Sequence, residues 1–390
     1  EMSLDGKSAE DEVKVLREKC RDFDSTRLYS EGSNDDFNNA QFTEGDDYWT
    51  TAKIKKPSAG EASDKYNIRM AFSWNNDAKG GFLEGMQPNT VKDFSEAIKE
   101  SGVTKPVLGH ETAQFQTYPM YDEQIEKYSQ GIFEAKNLQK WKSTMQSKGL
   151  LDMNEKFARA SGASAAVQNR AEIEAAMRTP EFGGYEILSI QDFPGQDTAL
   201  VGLLDAFMDD KPGGFKKEEY KSINSAVTVL AKLPKMMYDG DEDFSADIVF
   251  TNYSEQDLNA SAEWSVRDEN GNVIDSGAFD EVTAKQGSVA NMGTVSLKAP
   301  FKDINKAQKL IFTVKAAGSE NSYDIWVYTN EKAENDGSVL VAGAYTDEVR
   351  KALADGKKVL MLMPGDKTSL PNSVSVRWTN DYWSTMFHGR

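Results

Sequence analysis

The sequence predicts an α/β region built on a parallel sheet, then an all-β sandwich, then the start of a second α/β segment. Three observations carry this. Up to residue 237, helical-period stretches alternate with short apolar strands that empty into polar or aromatic loops. From Phe244 the period falls to two, with turn signals and no intervening amphipathic helix. From about Glu331, two apolar runs flank a single helix. The boundaries fall at 1–237, 238–330 and 331–390.

Taken in order, Ser8-Ala9-Glu10-Asp11 is a capping box, and Val13, Leu16, Cys20 and Phe23 then recur at helical spacing. Cys20 reads as a small buried hydrophobe on that face. Arg27–Ser30 is a short strand candidate leading into a polar loop with Asn34, Asp35 and Asp36, and Asp46–Thr51 is the next β-prone piece. Residues 52–89 form a long excursion with one apolar island around Trp74, and loops of such length in compact domains are usually functional. Thr90-Val91-Lys92-Asp93 predicts a second cap, for a helix with Val91, Phe94, Ala97 and Ile98 on one face that Gly102 stops.

Lys105–Gly109 is a strand that delivers His110 and Glu111 into the loop Gln114–Tyr118. Residues 122–178 are mostly helical, one helix carrying Phe157 and Ala160 and another running from Ala163 to Met177 until Thr179-Pro180. Tyr185–Ile190 is a strand that empties into Gln191-Asp192-Phe193, and Leu200–Met208 reads as an apolar helix. In the next region Phe244, Ala246, Ile248 and Phe250 alternate with Ser245, Asp247 and Val249, and Asn270-Gly271 marks a hairpin. Val339–Ala342, Thr346–Ala354 and Val359–Met363 read as strand, helix and strand.

Composition narrows the function classes. The 390 residues carry 63 acidic against 45 basic side chains, a formal net charge of −18 that repels nucleic-acid phosphates and anionic membranes and suits a neutral ligand such as a sugar. One cysteine and two histidines leave no Cys/His zinc cluster and no intrachain disulfide. No metal and no other cofactor is expected. No run of apolar residues is long enough to span a membrane. The chain opens on Glu1 and ends within the aromatic-rich segment Trp378–Arg390, and both ends read as cuts through a longer protein.

The chemistry-bearing candidate is Glu111, because a strand that stops on a carboxylate and opens into an aromatic loop is how a (β/α)8 barrel presents a catalytic acid. A buried strand with a solvated glutamate at its end fits the same residues. Two-carboxylate glycoside chemistry needs a second acid about 5–5.5 Å away for a retaining pair. Asp35, Asp36, Asp46, Asp47 and Asp192 sit at strand ends and are candidates or solvated loop charges. His110 could orient the carboxylate or a substrate hydroxyl, although adjacent strand residues point to opposite faces. Tyr48, Trp49, Trp74, Phe115 and Tyr118 are sugar-stacking platforms or core. Asp239, Asp241 and Asp243 begin like a calcium loop but have Phe244 at the required glycine and Phe250 at the closing glutamate, so they read as linker.

Three segments resemble glycoside hydrolase family two, in its β-galactosidase-like branch from gut Bacteroidetes. They are KPVLGHETAQFQTYP, EIEAAMRTPEFGGYEILSIQDFPGQDTALVGLLDAFMD and TRLYSEGSNDDF…GDDYWTT. The resemblance implies that residues 1–237 are the second half of a (β/α)8 barrel and that 238–330 are an immunoglobulin-like domain. It implies a retaining exo-β-glycosidase acting on an oligosaccharide or glycoside, with Glu111 as nucleophile and Glu1 as acid/base. Asn34, Asp47, Trp49, Trp74, His110, Gln191 and Asp192 would be its substrate-binding residues. The remainder of the parent polypeptide would complete the barrel, and the location would be periplasmic or cell-surface. Where family members often carry a Trp at the end of strand eight, this chain has Gln191-Asp192-Phe193. That departure leaves open a non-catalytic glycan-binding or scaffolding protein with a degenerate barrel.

Overall fold

The computed structural model describes residues 9–31, 42–55, 65–69, 87–132, 134–193, 195–329 and 336–363. Glu1, Asn34, Asp35, Asp36, Trp74 and the first cap at Ser8 lie outside the described residues.

The first region is a three-stranded parallel sheet in the order β1 (Trp49–Thr51), β2 (Val107–Thr112), β3 (Phe182–Ile187). Helix α1 (Ala9–Phe23) precedes it, α2 (Ser95–Ser101) joins β1 to β2, and α3 (Tyr121–Ser129), α4 (Lys136–Ser147) and α5 (Asn154–Met177) join β2 to β3. Parallel pairing requires such crossovers. The strand candidate at Arg27–Ser30 is not in a ladder; instead the Asp47 carboxylate accepts from the Tyr29 amide at 2.8 Å and the Asp47 amide donates to the Tyr29 carbonyl at 2.9 Å.

The core beneath the sheet joins Trp49, Ile54, Tyr66, Ile68, Phe94, Ile98, Val107 and Phe182, with Phe94 stacked on Phe182 at 5.4 Å. Each fully buried apolar side chain contributes about 1.5–3 kcal/mol. The apolar face of α1 is different. Val13 and Leu16 are exposed and Phe23 is 94% exposed, Cys20 is half-buried, and a charged side chain of α1, Arg17, is buried instead and donates to Asp46 at 2.6 Å.

Three helix expectations change. Thr90 caps no helix; its hydroxyl donates to the Ala231 carbonyl at 2.7 Å and accepts from the Leu233 amide at 2.8 Å, so the fold uses it to tie two regions together. Helix α2 starts at Ser95 and ends, as expected, at Gly102, whose φ of +76° is the left-handed cap that glycine adopts without a Cβ clash. The two helices expected around Phe157 and Ala163 are one 24-residue helix, α5, continuous through Gly162. Gly162 is required there because a Cβ would lie 2.0 Å from the Pro212 carbonyl oxygen.

Leu200–Met208 is not a helix but irregular chain. Asp205 accepts from the amides of Phe207 at 2.8 Å and Asp209 at 2.9 Å, a local competition that turns the backbone out of helix.

The sandwich begins earlier than residue 238. After helix α6 (Lys217–Ile223), strand β4 (Val227–Lys232) pairs with β6 (Phe244–Asn252), which pairs with β9 (Ser288–Leu297). The second sheet runs β5 (Met237–Asp239), β11 (Ser319–Tyr328), β10 (Gln308–Ala316), β7 (Leu258–Asp268), β8 (Val273–Ala284). Period-two residues of both sheets meet in one core, where Phe244 packs edge-on to Phe312 at 5.2 Å and Phe301 at 5.9 Å. Asn270-Gly271 forms the β7–β8 turn, with Asp268 accepting from the amides of Asn270 and Asn272.

Helix α5 locks this sandwich to the parallel sheet. Glu174 is buried and accepts from Arg170 at 2.7 Å and Arg178 at 2.9 Å, while Arg170 also donates to Asn321 of β11 at 3.1 Å. The last region pairs β12 (Val339–Ala342) with β13 (Lys358–Met361) in parallel, joined by α7 (Asp347–Ala354), whose cap Thr346 accepts from Val349.

Candidate functional site

The site is built on an irregularity in β2. Gly109 pairs with Tyr185 of β3, and the next matched pair is Thr112 with Ile187. Two residues of β2, His110 and Glu111, therefore face one of β3, Glu186. This is a β-bulge, and Glu111 takes up the extra residue with a φ of +48°. A non-glycine residue held in the left-handed region costs about 1–3 kcal/mol, and such residues cluster at functional sites.

The bulge corrects one expectation. Regular alternation would send His110 and Glu111 to opposite faces. Here they share a side, and His110 Nε2 lies 3.8 Å from Glu111 Oε1.

Arg69 enters from outside the strands. Past β1, the chain segment Ala52–Ile54 pairs with Tyr66–Ile68 through Ile54 N to Tyr66 O at 2.9 Å and Ile68 N to Ala52 O at 3.0 Å. Ile68 then presses onto Gly109, where an added Cβ would meet Ile68 Cγ2 at 3.2 Å and Thr112 Cγ2 at 2.9 Å. That contact sets Arg69 over the end of β2. Its Nε donates to the His110 carbonyl at 2.8 Å and its Nη2 to Glu111 Oε2 at 2.6 Å. Gln114 Nε2 donates to the same carboxylate oxygen at 3.1 Å and to the Glu111 carbonyl at 2.9 Å. Glu111 is 31% exposed, so its carboxylate is anchored from below yet reachable from above.

Two further acids complete the group. Glu186 of β3 binds His110 Nδ1, and buried Glu172 of α5 accepts from the Ala113 amide at 3.0 Å. Burial pulls the Arg69 guanidinium below its ordinary value, and Glu111, Glu172 and Glu186 pull against that. Arg69, Glu172 and Glu186 were not singled out in the sequence. Glu186 was accessible in principle as the β3 residue level with Glu111; Arg69 lies in the 52–89 excursion and has no local signal.

The other sequence candidates are placed elsewhere. Asp47 precedes β1, and Trp49 pairs with Val107, so Asp47 stands six residues below the level of Glu111 along parallel strands. At about 3.3 Å per residue that is roughly 20 Å, the opposite end of the sheet. Asp47 instead accepts from Arg21 at 3.0 Å and from the Tyr29 amide; the latter, first, and the former hold its carboxyl below the ordinary range. Trp49 is 4% exposed in the core, edge-on to Phe42 at 6.3 Å, and offers no ring face to a ligand. Phe115 is buried against Ala165, and Tyr118 is exposed beside Phe157.

Gln191 and Asp192 follow β3. Gly202 packs against the Gln191 backbone, where a Cβ would lie 2.2 Å from its carbonyl carbon. Asp192 is 6% exposed and accepts from Lys211 Nζ at 2.7 Å and the Gly202 amide at 2.9 Å. Burial pushes its carboxyl up to about 6, against the pull of Lys211, and burial likewise pulls the Lys211 amine down. Asp192 is thus a loop staple.

A cavity of about 450 Å³ lies between β3 and the sandwich, lined by Met177, Phe182, Tyr185, Tyr220 and Tyr253 among others, and none of Arg69, His110 and Glu111 borders it. Among the described residues no group of three or more His, Cys, Asp or Glu side chains could hold a metal ion, and no helix is long and apolar enough to cross a membrane.

Comparison with known proteins covers the sandwich most directly. Residues 242–329 match a family described as Domain of unknown function (DUF8488). No curated protein matches the chain. Similar solved structures include glycoside hydrolases. The β-D-mannosidase of Dictyoglomus thermophilum is 13% identical with a TM-score of 0.38, over 64% of this chain and 30% of that one. The exo-chitosanase CsxA of Amycolatopsis orientalis is 13% identical with a TM-score of 0.33, over 63% and 35%. The alkylpurine DNA glycosylase AlkC of Pseudomonas fluorescens is 6% identical with a TM-score of 0.22, over 29% and 33%. The chain spans about a third of the length of each of these proteins. At such TM-scores the likeness carries no argument about the site.

Proposed function

We propose that the chain belongs to a retaining β-glycosidase in which Glu111 is the nucleophile. One observation carries this reading. The bulge puts Glu111 at the C-terminal end of the central strand of a parallel sheet, half-open to solvent, with Arg69 and Gln114 both on Oε2. That is the end at which parallel α/β folds place their active sites.

With Oε2 fixed, Oε1 attacks the anomeric carbon. The bond to the leaving oxygen breaks, and that oxygen takes a proton from the acid/base. Water then attacks the glycosyl-enzyme ester, gives its proton to the same base, and frees Glu111. By resemblance to family two, the acid/base is Glu1 and the sugar a β-galactoside-like glycan. The resemblance also supports an immunoglobulin-like sandwich and a periplasmic or surface location.

The proposal includes completion of the sheet by the remainder of the parent polypeptide. Two features support that: β1 and β3 are the outer strands of the sheet among the described residues, and α1 leaves Leu16 and Phe23 exposed.

Glu111→Gln in the full-length parent is expected to lower kcat on aryl β-glycosides at least about a thousand-fold with the fold intact. Near-full activity would sink the assignment. The glycan-binding alternative gains from Asp192, the sequence candidate at the end of β3, whose carboxylate is taken up by Lys211; glycoside turnover that disappears in Glu111→Gln contradicts it.

A further inference from the structure

The cavity of about 450 Å³ lies where β3 meets helix α6 and the sandwich, and none of Arg69, His110 and Glu111 borders it. Small-molecule sites typically enclose about 300–1,000 Å³ and favour junctions between domains. Three tyrosines from three elements converge on this one: Tyr185 of β3, Tyr220 of α6 and Tyr253 just past β6. All three are half-buried.

Local structure holds the rings and the space between them. The Tyr253 hydroxyl donates to the Phe182 carbonyl at 3.2 Å, which fixes that side chain against β3. Phe215 packs edge-on to Tyr220 at 5.8 Å. Gly184 borders the cavity with a φ of +150°, and a Cβ there would meet no atom within 4 Å. The strand thus leaves a gap where any other residue would carry a side chain.

The lining sets the class of ligand. Of the whole chain 28% is charged, yet none of the twelve residues lining the cavity is. An ion would lose its hydration there with no counter-charge. Burial raises the pKa of the Tyr185 and Tyr253 hydroxyls, so both remain neutral hydrogen-bonding groups. Asn224 and Ser225 add an amide and a hydroxyl. A wholly apolar ligand would leave these polar groups unpaired. Aromatic rings beside hydroxyl and amide groups match a pyranose, which is apolar on its faces and carries hydroxyls around its rim.

We propose that this cavity is a second carbohydrate site, which takes a neutral sugar unit of a glycan between the parallel-sheet region and the sandwich. The ligand class follows from the lining and does not depend on Glu111 being a nucleophile. Because the walls come from both regions, the bound sugar bridges them.

The probes are sulfur-linked analogues of lactose and cellobiose, which resist glycosidic hydrolysis, with the matching glucuronic acid disaccharide as the charged control. In the full-length parent, at least one neutral probe is expected to slow hydrogen exchange in residues 182–187 and 220–226, and the charged control to leave both stretches unchanged. Tyr220→Leu removes a ring and Ala226→Phe fills the gap. Each is expected to abolish that protection and to weaken calorimetric binding at this site at least about tenfold. Ala226 is exposed at a bend, so its variant keeps the test open should Tyr220→Leu fold poorly. Turnover of a small aryl β-glycoside is expected to be unchanged in both, since neither residue belongs to the Glu111 group.

No protection of these stretches by either neutral probe overturns the proposal, as does protection that persists in the folded variants or that the charged control reproduces. Turnover without protection at the cavity overturns this proposal alone. Protection without turnover sinks the glycosidase reading alone.

Discussion

Arg69 Nη2 meets Glu111 Oε2 at 2.6 Å while Arg69 Nε holds the carbonyl of His110, so one planar side chain fixes both the carboxylate and the backbone of the bulge that presents it. Arginine suits this because its donors form a rigid fork; lysine has a single ammonium and cannot reach both oxygens. Arg69→Lys is expected to lower kcat in the full-length parent at least about tenfold with a smaller change in KM, since Glu111 loses its orientation rather than its charge. Equal kcat in the two proteins would show that Arg69 does not position the nucleophile.

Asp192 and Lys211 form a buried pair at 2.7 Å. Desolvation makes such pairs expensive, and removing one partner leaves an uncompensated buried charge. Asp192→Leu and Lys211→Met are each expected to destabilise the fold by about 3–5 kcal/mol, while the double variant stays within about 1.5 kcal/mol of the original. Chemical denaturation of the four proteins checks this, and additive losses in the double variant contradict it.

Glu174 answers both Arg170 and Arg178 at the junction of α5 with the sandwich. Glu174→Gln leaves two guanidinium groups there without a carboxylate, at an expected cost of about 3 kcal/mol. Because Arg170 also reaches Asn321, the loss is expected to appear as earlier release of the sandwich, read by hydrogen exchange in β11. Unchanged protection there would mean that the junction is held by Thr90 and Lys232 instead.

The Tyr29 amide and Arg21 hold the Asp47 carboxyl below its ordinary value. A carboxyl depressed in the folded state contributes stability that is present above its unfolded value of about 4 and is lost as pH falls through the folded value. Slowed exchange of the Tyr29 amide is therefore expected above about pH 4, to fade below it, and to be absent in Asp47→Ala. Protection that persists in the variant would remove Asp47 as its cause.

How much of this was readable in the sequence depends on the range of each interaction. The period-two runs around Phe250 and Phe312 and the turn at Asn270-Gly271 are local signals, and they marked the sandwich. The apolar run at Val107 and Leu108 likewise marked β2 and its carboxylate. Leu200–Met208 misled because its apolar spacing is helical while Asp205 captures the amides that a helix would need. Asp47 misled for a geometric reason: an acid next to a strand lies at one end or the other according to whether it precedes or follows the strand. Arg69 reaches Glu111 only through the pairing of Ala52–Ile54 with Tyr66–Ile68, and the bulge at Glu111 exists only against β3. Neither leaves a mark within its own segment.

The central claim is that Glu111 forms a covalent bond to the sugar. The most direct measurement is to treat the full-length parent with an activated 2-deoxy-2-fluoro-β-glycoside, which slows breakdown of the glycosyl-enzyme, and to map the added mass by peptide mass spectrometry. The account predicts one sugar ester on Glu111, lost in Glu111→Gln. Turnover of the parent glycoside with a label on a different carboxylate would contradict it.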